Sequence, residues 1–369
     1  VVDSGQFTMG DHVARFEQEF STYNRRRYCV MVNSGSSANL VGIASLAYKH
    51  DRPLCPGDEI IVPAISWATT YYPLLQYGLR LRFVDVELET LNMDVSQLES
   101  ALTPRTRAVM AVSILGNPAA LDVMRSFCDA HGLYLFEDNC ESMDAELDGQ
   151  KMGSFGDIGT FSTFFSHHIS TMEGGMITTD NMELFHLCKS LRSHGWDRDI
   201  PEDSPIYTPE EDDFFEAYRF ILPGYNVRPI ELSGAIGLEQ LKKLPAMTAQ
   251  RRKNQELFQK LFTDDMRFII QKENGKSSSF CFTIILNPSC TPAREEVMGA
   301  LKEAGIGYRI ITGGCFPRHD VIKYFDYDCV NSLPNANLAH DRGFFVGNHP
   351  YDLTPQIERL YEVLTSACE

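Results

Sequence analysis

Residues 28–48 read YCVMVNSGSSANLVGIASLAY, and the change of character at Asn33 decides the architecture. Tyr28 to Val32 is a short β-branched and apolar run of strand length, whereas the small and straight-chain residues after Gly35 suit a helix. The same alternation recurs through EIIVPAIS, LRFVDVEL, AVMAVSILG, LYLFEDN, GTFSTFF and GMITTD, as far as Asp180. Near-continuous apolar strands separated by helices predict an α/β fold with a mostly parallel sheet covered on both faces. Helices are expected over 94–102 and 119–131, the second closed by Gly132. In such sheets ligands gather beyond the carboxyl ends of the strands, where several of these runs turn polar.

The pattern changes beyond Pro223. A long polar helix is expected from 230 to about 264, followed by strands such as FCFTIILN and a helix over 293–304. The chain of 369 residues has room for two domains. They are placed at 1–230, the large ligand-binding part, and 231–369, a smaller α+β part. The acidic stretch PEEDDFFEAY, 209–218, reads as a solvated loop or helix start.

Composition narrows the function. With 43% hydrophobic and 22% charged residues the chain is an ordinary globular one, not a fibre or a disordered segment. Lys plus Arg number 33 against 50 Asp plus Glu, a formal charge of −17, which argues against a nucleic-acid partner. A local basic pocket for a small phosphate ligand stays open. The best apolar run, 108–115, falls far short of the roughly 18–20 residues that span a bilayer, so no membrane association is expected. VVDSGQFTMG at the start has neither a basic nor an apolar leader region. The 10 cysteines are scattered without a CxxC pair, which predicts reduced thiols in a cytoplasm and no metal site.

Four segments hold candidate chemistry. Gly35, Ser36 and Ser37 between strand and helix would let backbone N–H groups and hydroxyls approach a phosphate; a plain turn with a serine cap is the other reading. Neither the P-loop pattern nor GxGxxG is present, which disfavours a nucleoside triphosphate or a dinucleotide. Asp138, at the end of LYLFEDN, suits a ring nitrogen that it holds protonated, or is simply a capped acid. Trp67 stacks on a flat cofactor or fills core. In GTFSTFFSHHISTMEGG, 159–175, a strand is expected to end in Ser166-His167-His168, and the two glycines permit close backbone approach or positive φ. Adjacent histidines are commonly surface residues, and no partner at metal-ligand spacing accompanies these.

Taken together, SGSSAN, ISWATTYYP, LFEDN, GSFGDIGTFS and the EGG after the histidines resemble the sugar-aminotransferase branch of the pyridoxal-phosphate fold-type I enzymes, the DegT/DnrJ/EryC1/StrS family. The resemblance spans essentially the whole chain and implies an aspartate-aminotransferase-like fold with a mostly parallel seven-stranded sheet. It implies that Asp138 pairs with the pyridine nitrogen, that Trp67 stacks on the ring, and that Gly35, Ser36, Ser37 and Ser162 lie near the cofactor phosphate. Glu141 occupies the place where many relatives carry Gln or His beside the ring. LPGYNVRP resembles a segment that crosses between subunits, with Asn226 of the partner subunit at the phosphate and Arg228 at the substrate, so a homodimer with shared active sites is implied. His168 is assigned to substrate binding.

The family keeps its cofactor-bonding lysine eight residues before the second glycine of EGG, and here that position is His167. The departure resembles the family's dehydratases. One dehydratase group, acting on CDP-linked sugars, uses an iron–sulfur cluster. Cys140 matches one of its ligands, but the downstream cysteines after HGWDRD are replaced by IPEDSPIYT, and one ligand cannot hold a cluster. The other group is cluster-free, and FTMG, SWATTYYPLLQYGLR, LPGYNVRP and FVGNH resemble it more closely. It implies a pyridoxamine-phosphate-dependent 3-dehydratase acting on a nucleotide-linked 4-keto-6-deoxy hexose, GDP-4-keto-6-deoxymannose, on the route to colitose. His167 would act as acid and base, and L-glutamate would restore the cofactor from pyridoxal phosphate. A nucleotide-sugar aminotransferase with an unusual base, and an inactive sugar or cofactor sensor, are the alternatives.

Overall fold

The computed structural model describes residues 1–290 and 292–368. Its strands are β1 (Tyr28–Val32), β2 (Glu59–Pro63), β3 (Arg80–Val84), β4 (Thr106–Val112), β5 (Tyr134–Asp138), β6 (Glu146–Leu147), β7 (Gln150–Lys151), β8 (Ile158–Ser162), β9 (Gly175–Thr179), β10 (Phe268–Ile270), β11 (Cys281–Leu286), β12 (Tyr327–Cys329) and β13 (Gly343–Gly347). Its helices are α1 (Asp11–Tyr23), α2 (Gly35–Ala47), α3 (Ala68–Gln76), α4 (Leu98–Ala101), α5 (Leu121–His131), α6 (Met182–Leu191), α7 (Asp213–Glu216), α8 (Glu231–Phe262), α9 (Arg294–Glu303), α10 (Pro334–Arg342) and α11 (Thr354–Ala367).

The main sheet has the order β1-β9-β8-β5-β4-β2-β3-β12. Pairing is parallel from β8 to β12 and antiparallel on both sides of β9, so β9 alone runs against the rest. Residues 28–179 supply the seven expected strands, and Tyr327–Cys329 adds an eighth at the edge beside β3. Side chains alternate between faces along a strand, and both faces are covered here. Val62, Met110 and Phe136 pack with Val41 and Ile43 of α2, whereas Ile61, Val109 and Leu135 pack with Leu121 and Met124 of α5. That double burial is why these strands read as unbroken apolar runs.

The three-stranded sheet β10-β11-β13 packs with α9 and α11 around Phe258, Phe262, Phe282 and Phe344. The long helix α8 serves both bodies. Its Leu238, Leu241 and Leu244 pack against Val13, Phe16 and Phe20 of α1, and Phe258 and Phe262 join the smaller core. At its start the carboxylate of Glu231 accepts from the backbone N–H groups of Gly10 and His12, both at 2.7 Å, and so caps α1. Among the described residues no helix is long and apolar enough to cross a membrane.

Local expectations are met where propensity and capping agree. Gly132 closes α5 in the left-handed conformation, and Asp212 caps α7 inside the acidic stretch. The expected helix over 94–102 is a 3-10 turn, Val95–Gln97, running into α4. One boundary differs. The strand before the histidines ends at Ser162, not at Ser166-His167, because Thr163 N–H donates to Gly174 O and Thr171 N–H to Thr163 O, both at 2.9 Å, and draw the chain out of the sheet.

Candidate active site

Because β9 is flanked by antiparallel pairings, β1 runs in the same direction as β8, β5, β4 and β2. Their five carboxyl ends share one edge of the sheet, and the loops leaving it carry Asn33 to Ser37, Thr163 to His168, Asn139 to Glu141, Leu115 and Trp67.

An anion cradle forms where α2 begins. Ser34 caps the helix by accepting from Ser37 N–H at 3.1 Å, while the first-turn N–H groups of Gly35 and Ser36 lack intrahelical acceptors. A Cβ on Gly35 would lie 2.7 Å from Ser162 Cβ and 2.9 Å from Cys140 Sγ, so only glycine lets the loops after β8 and β5 close on the helix start. The glycines of EGG act in the same way. A Cβ on Gly174 would meet Thr163 Oγ1 at 2.3 Å, and one on Gly175 would meet Ser34 O at 2.2 Å. Ser36 Oγ donates to Thr69 Oγ1 at 2.9 Å, and Ser37 Oγ to Asn33 Oδ1 at 2.7 Å. A recess of about 150 Å³ between α2 and α3 is lined by Ser36, Ser37, Thr69 and Tyr72.

Asp138 ends β5 and is only 5% exposed. Its Oδ2 accepts from Asn39 Nδ2 and Thr70 Oγ1, both at 2.8 Å, and its Oδ1 from Cys140 N–H at 3.1 Å. Among the described residues no cation pairs with it. Three neutral donors therefore fix the orientation of a buried carboxylate without neutralising it, which leaves it ready for a positively charged N–H. Trp67 is the residue before α3 and is 61% exposed, so it does not fill core; it stands on the turn that also carries Thr69 and Thr70.

Glu141 stands in the loop that leaves β5, two residues after Asn139. Its Oε2 accepts from Leu115 N–H at 2.9 Å and Thr312 Oγ1 at 3.4 Å, which ties the large sheet to the C-terminal region. Burial pushes its carboxyl up to about 7, and the charge of Asp138 adds to the effect. Both Leu115 (φ 55°) and Thr312 (φ 38°) are left-handed, a conformation that costs a side chain of their type energy and so marks a constrained junction.

The two histidines part ways. His167 packs its ring against Phe280, with centroids 5.3 Å apart, and its Nδ1 is buried without a partner. Burial first, and the charge of Arg251 second, push its imidazole down to about 4, so it is neutral at physiological pH. His168 is 1% exposed, and its Nε2 lies 3.3 Å from Ser278 O. The expectation that His168 contacts substrate is corrected accordingly: it is a packing residue, because the turn that leaves one imidazole partly exposed buries its neighbour.

Asn226 and Arg228 lie beside the cradle's own strand-to-helix junction. Asn33 N–H donates to Val227 O at 2.9 Å, and Arg228 Nε to Asn226 Oδ1 at 3.1 Å. The Asn226 side chain is exposed. Several contributors escaped the sequence reading. Asn39 and Thr70, within SGSSAN and ISWATTYYP, hold Asp138, and Thr312 and Leu115 hold Glu141. The helical spacing that sets Asn39 one turn beyond Gly35 is the signal that points to it. Nothing in the local sequence marks Thr312.

The donor set suits pyridoxal or pyridoxamine phosphate. A glycine-dependent cradle at a helix N-terminus would hold the phosphate, a buried carboxylate without a cation would meet the ring nitrogen, and an open indole would cover the ring. Proteins of similar sequence agree. The GDP-4-keto-6-deoxy-D-mannose 3-dehydratase of Yersinia pseudotuberculosis is 48% identical over 366 residues, 99% of this chain and 93% of its own. The Escherichia coli GDP-4-keto-6-deoxy-D-mannose-3-dehydratase with bound hydrated PLP superimposes with a TM-score of 0.96 at 47% identity, covering 99% of this chain and 94% of that one. GDP-4-keto-6-deoxymannose-3-dehydratase with a trapped PLP-glutamate geminal diamine gives 0.96 at 46% identity over 98% and 95%. Residues 1–364 match the pattern shared by one group of enzymes, and this chain belongs to it: the DegT/DnrJ/EryC1/StrS aminotransferase family.

Proposed function

We propose that the protein is a pyridoxamine-phosphate-dependent 3-dehydratase that removes the carbon-3 hydroxyl of GDP-4-keto-6-deoxymannose, with L-glutamate restoring the cofactor. The observation that carries this reading is His167 in the family's lysine position, on a chain 47–48% identical over 99% of its length to two enzymes named for that reaction. When bound, the cofactor supplies an amine that condenses with the sugar's keto carbon and a ring that takes up an electron pair.

The residues do the rest. Asp138 holds the ring nitrogen protonated, which keeps the ring an electron sink. Gly35, Ser36, Ser37 and Ser162 hold the phosphate, and Trp67 covers one ring face. Asn226 of the partner subunit reaches the phosphate, and Arg228 the substrate, in a cytoplasmic homodimer whose large domain, 1–230, carries the cofactor. His167 cannot tether the cofactor as lysine does, but its neutral imidazole accepts a proton at Nε2, the ring nitrogen not sealed beneath the surface, and returns it to the departing hydroxyl. Glu141 beside the ring is poised near neutrality as a proton-sharing group. The balance closes: the sugar loses one oxygen, and glutamate is oxidised to 2-oxoglutarate with release of ammonia.

The test is to incubate the protein with pyridoxal phosphate, glutamate and GDP-4-keto-6-deoxymannose. Ammonia and a 3-deoxy product are expected, and an amino sugar would refute the reading. Borohydride is expected to leave no cofactor bonded to the chain. Lys151, the nearest lysine in sequence before the histidines, is held by Asp144 at 2.6 Å, and a reduced adduct there would also overturn the assignment.

A further inference from the structure

Arg251 is a buried guanidinium with no acidic partner among the described residues. It is 4% exposed, its Nε is unpartnered, and its Nη1 donates only to the backbone carbonyls of Phe280, at 3.2 Å, and Asn348. Those carbonyls belong to a shelf that carries both histidines. The Phe280 ring lies 5.3 Å from the His167 ring and 5.5 Å from the His168 ring, and Ser278 O meets His168. Ser279, between them, is left-handed with φ 48°, a conformation that persists only where surrounding contacts impose it.

The imposing contacts come from α8 and its latch. Arg252 Nε donates to Ser277 O at 2.6 Å, and Ser279 Oγ to Gln255 Oε1 at 3.2 Å. Asn348 Nδ2 donates to Ser279 O at 3.1 Å and to Arg251 O at 2.9 Å. Arg251 thus closes a ring of bonds around a strained shelf, and its own charge has no acidic partner among the described residues. The titratable groups around this point are His167 and His168 from the loop after β8, Arg251 and Arg252 from α8, Cys281 at the start of β11 and His349 after β13. Among the described residues neither imidazole has a carboxylate partner.

We infer that Arg251 is a positioning residue for the base: it fixes the Ser277–Phe280 shelf on which the His167 ring rests and sets an unpaired guanidinium beneath that shelf. The inference rests on His167 being the base. Arg251 acts through the shelf and touches no substrate.

The test compares R251M, R251K, F280L and H167N in sugar dehydration over pH, with thermal unfolding as a control. R251M is expected to lower kcat about tenfold or more, with little change in KM, and to move the acidic limb of kcat/KM upward by about half to one pH unit, since removing a cation favours imidazolium. R251K is expected to restore the position of the limb and part of the rate. F280L is expected to lower kcat without moving the limb, which separates the shelf from the charge. Should R251M fail to fold, R251Q, which keeps a donor for the shelf carbonyls but loses the charge, takes its place: it is expected to shift the limb upward while R251K and F280L do not. An unmoved limb and a wild-type rate in R251M, or a limb shifted equally by F280L, would overturn the inference. Near-normal turnover by H167N would instead sink the reading of the base itself.

Discussion

Asp138 and His167 follow neighbouring strands of one sheet, yet the protein treats their polar atoms in opposite ways. The carboxylate after β5 accepts three hydrogen bonds from Asn39, Thr70 and the Cys140 backbone. The imidazole after β8 has a buried Nδ1 with no partner and an aromatic ring for a neighbour. A carboxylate held by three donors is locked in orientation yet keeps room for one more, which suits a group whose task is to meet a cationic N–H. An imidazole without partners changes its protonation state with little reorganisation, which suits a group that must take up and release a proton. The difference separates a fixed electrostatic element from a moving one.

The largest effect is expected on the moving side. H167N keeps the size and polarity of the residue but removes the base, and should lower sugar dehydration by roughly 10²–10⁴-fold while the cofactor's absorbance is retained. Near-normal turnover in a stopped assay for ammonia would dissolve the contrast. In the wild type the imidazole's depressed pKa is a stability term that is present above 6.5 and lost as pH falls through about 4. H167N should therefore lose less melting temperature than wild type between those values.

On the fixed side, D138N retains a partner for Thr70 but loses the charge, and should slow the reaction by roughly a hundredfold, the scale of one preorganised electrostatic contact. Cofactor titration should show weaker binding as well; unchanged spectra and rates would mean that the carboxylate is only structural.

The smallest effect is reserved for Glu141, which shares features of both. Its carboxyl is raised from 4.5 to about 7, so its contribution to stability is full below the lower value and is lost as pH rises through the upper one. E141Q should match wild type near pH 4 and melt higher by about 2–4 °C at pH 8. A constant difference across that range would show that its ionisation does not matter to the fold.

Much of the architecture was legible because both faces of the sheet are buried. Strands such as Glu59–Pro63 and Tyr134–Asp138 are buried along their whole length, and the apolar runs within them, Ile60–Val62 and Tyr134–Phe136, leave a plain trace in the sequence. The cradle was legible because close approach demands small residues at Gly35 and Gly175. The end of β8 was misread, since the apolar run continues through Phe164 and Phe165 while cross-loop bonds from Thr163 and Thr171 end the strand at Ser162. His168 was misread for a related reason: adjacent residues in a turn face different ways, and nothing in two consecutive histidines says which is outside.

The amino-acid sequence by itself determined the alternation of strand and helix, the small residues at the anion site and the imidazole at position 167, because each depends on residue type and short spacing. Tertiary structure alone decided that Asn39 and Thr70 converge on Asp138, that Thr312 reaches Glu141, and that Arg251 stands behind the base. The hydrogen-bonded pairs among them lie between 68 and 171 residues apart along the chain. Their meeting follows from strand order and from where α8 crosses between the two bodies, which no local pattern of residues encodes.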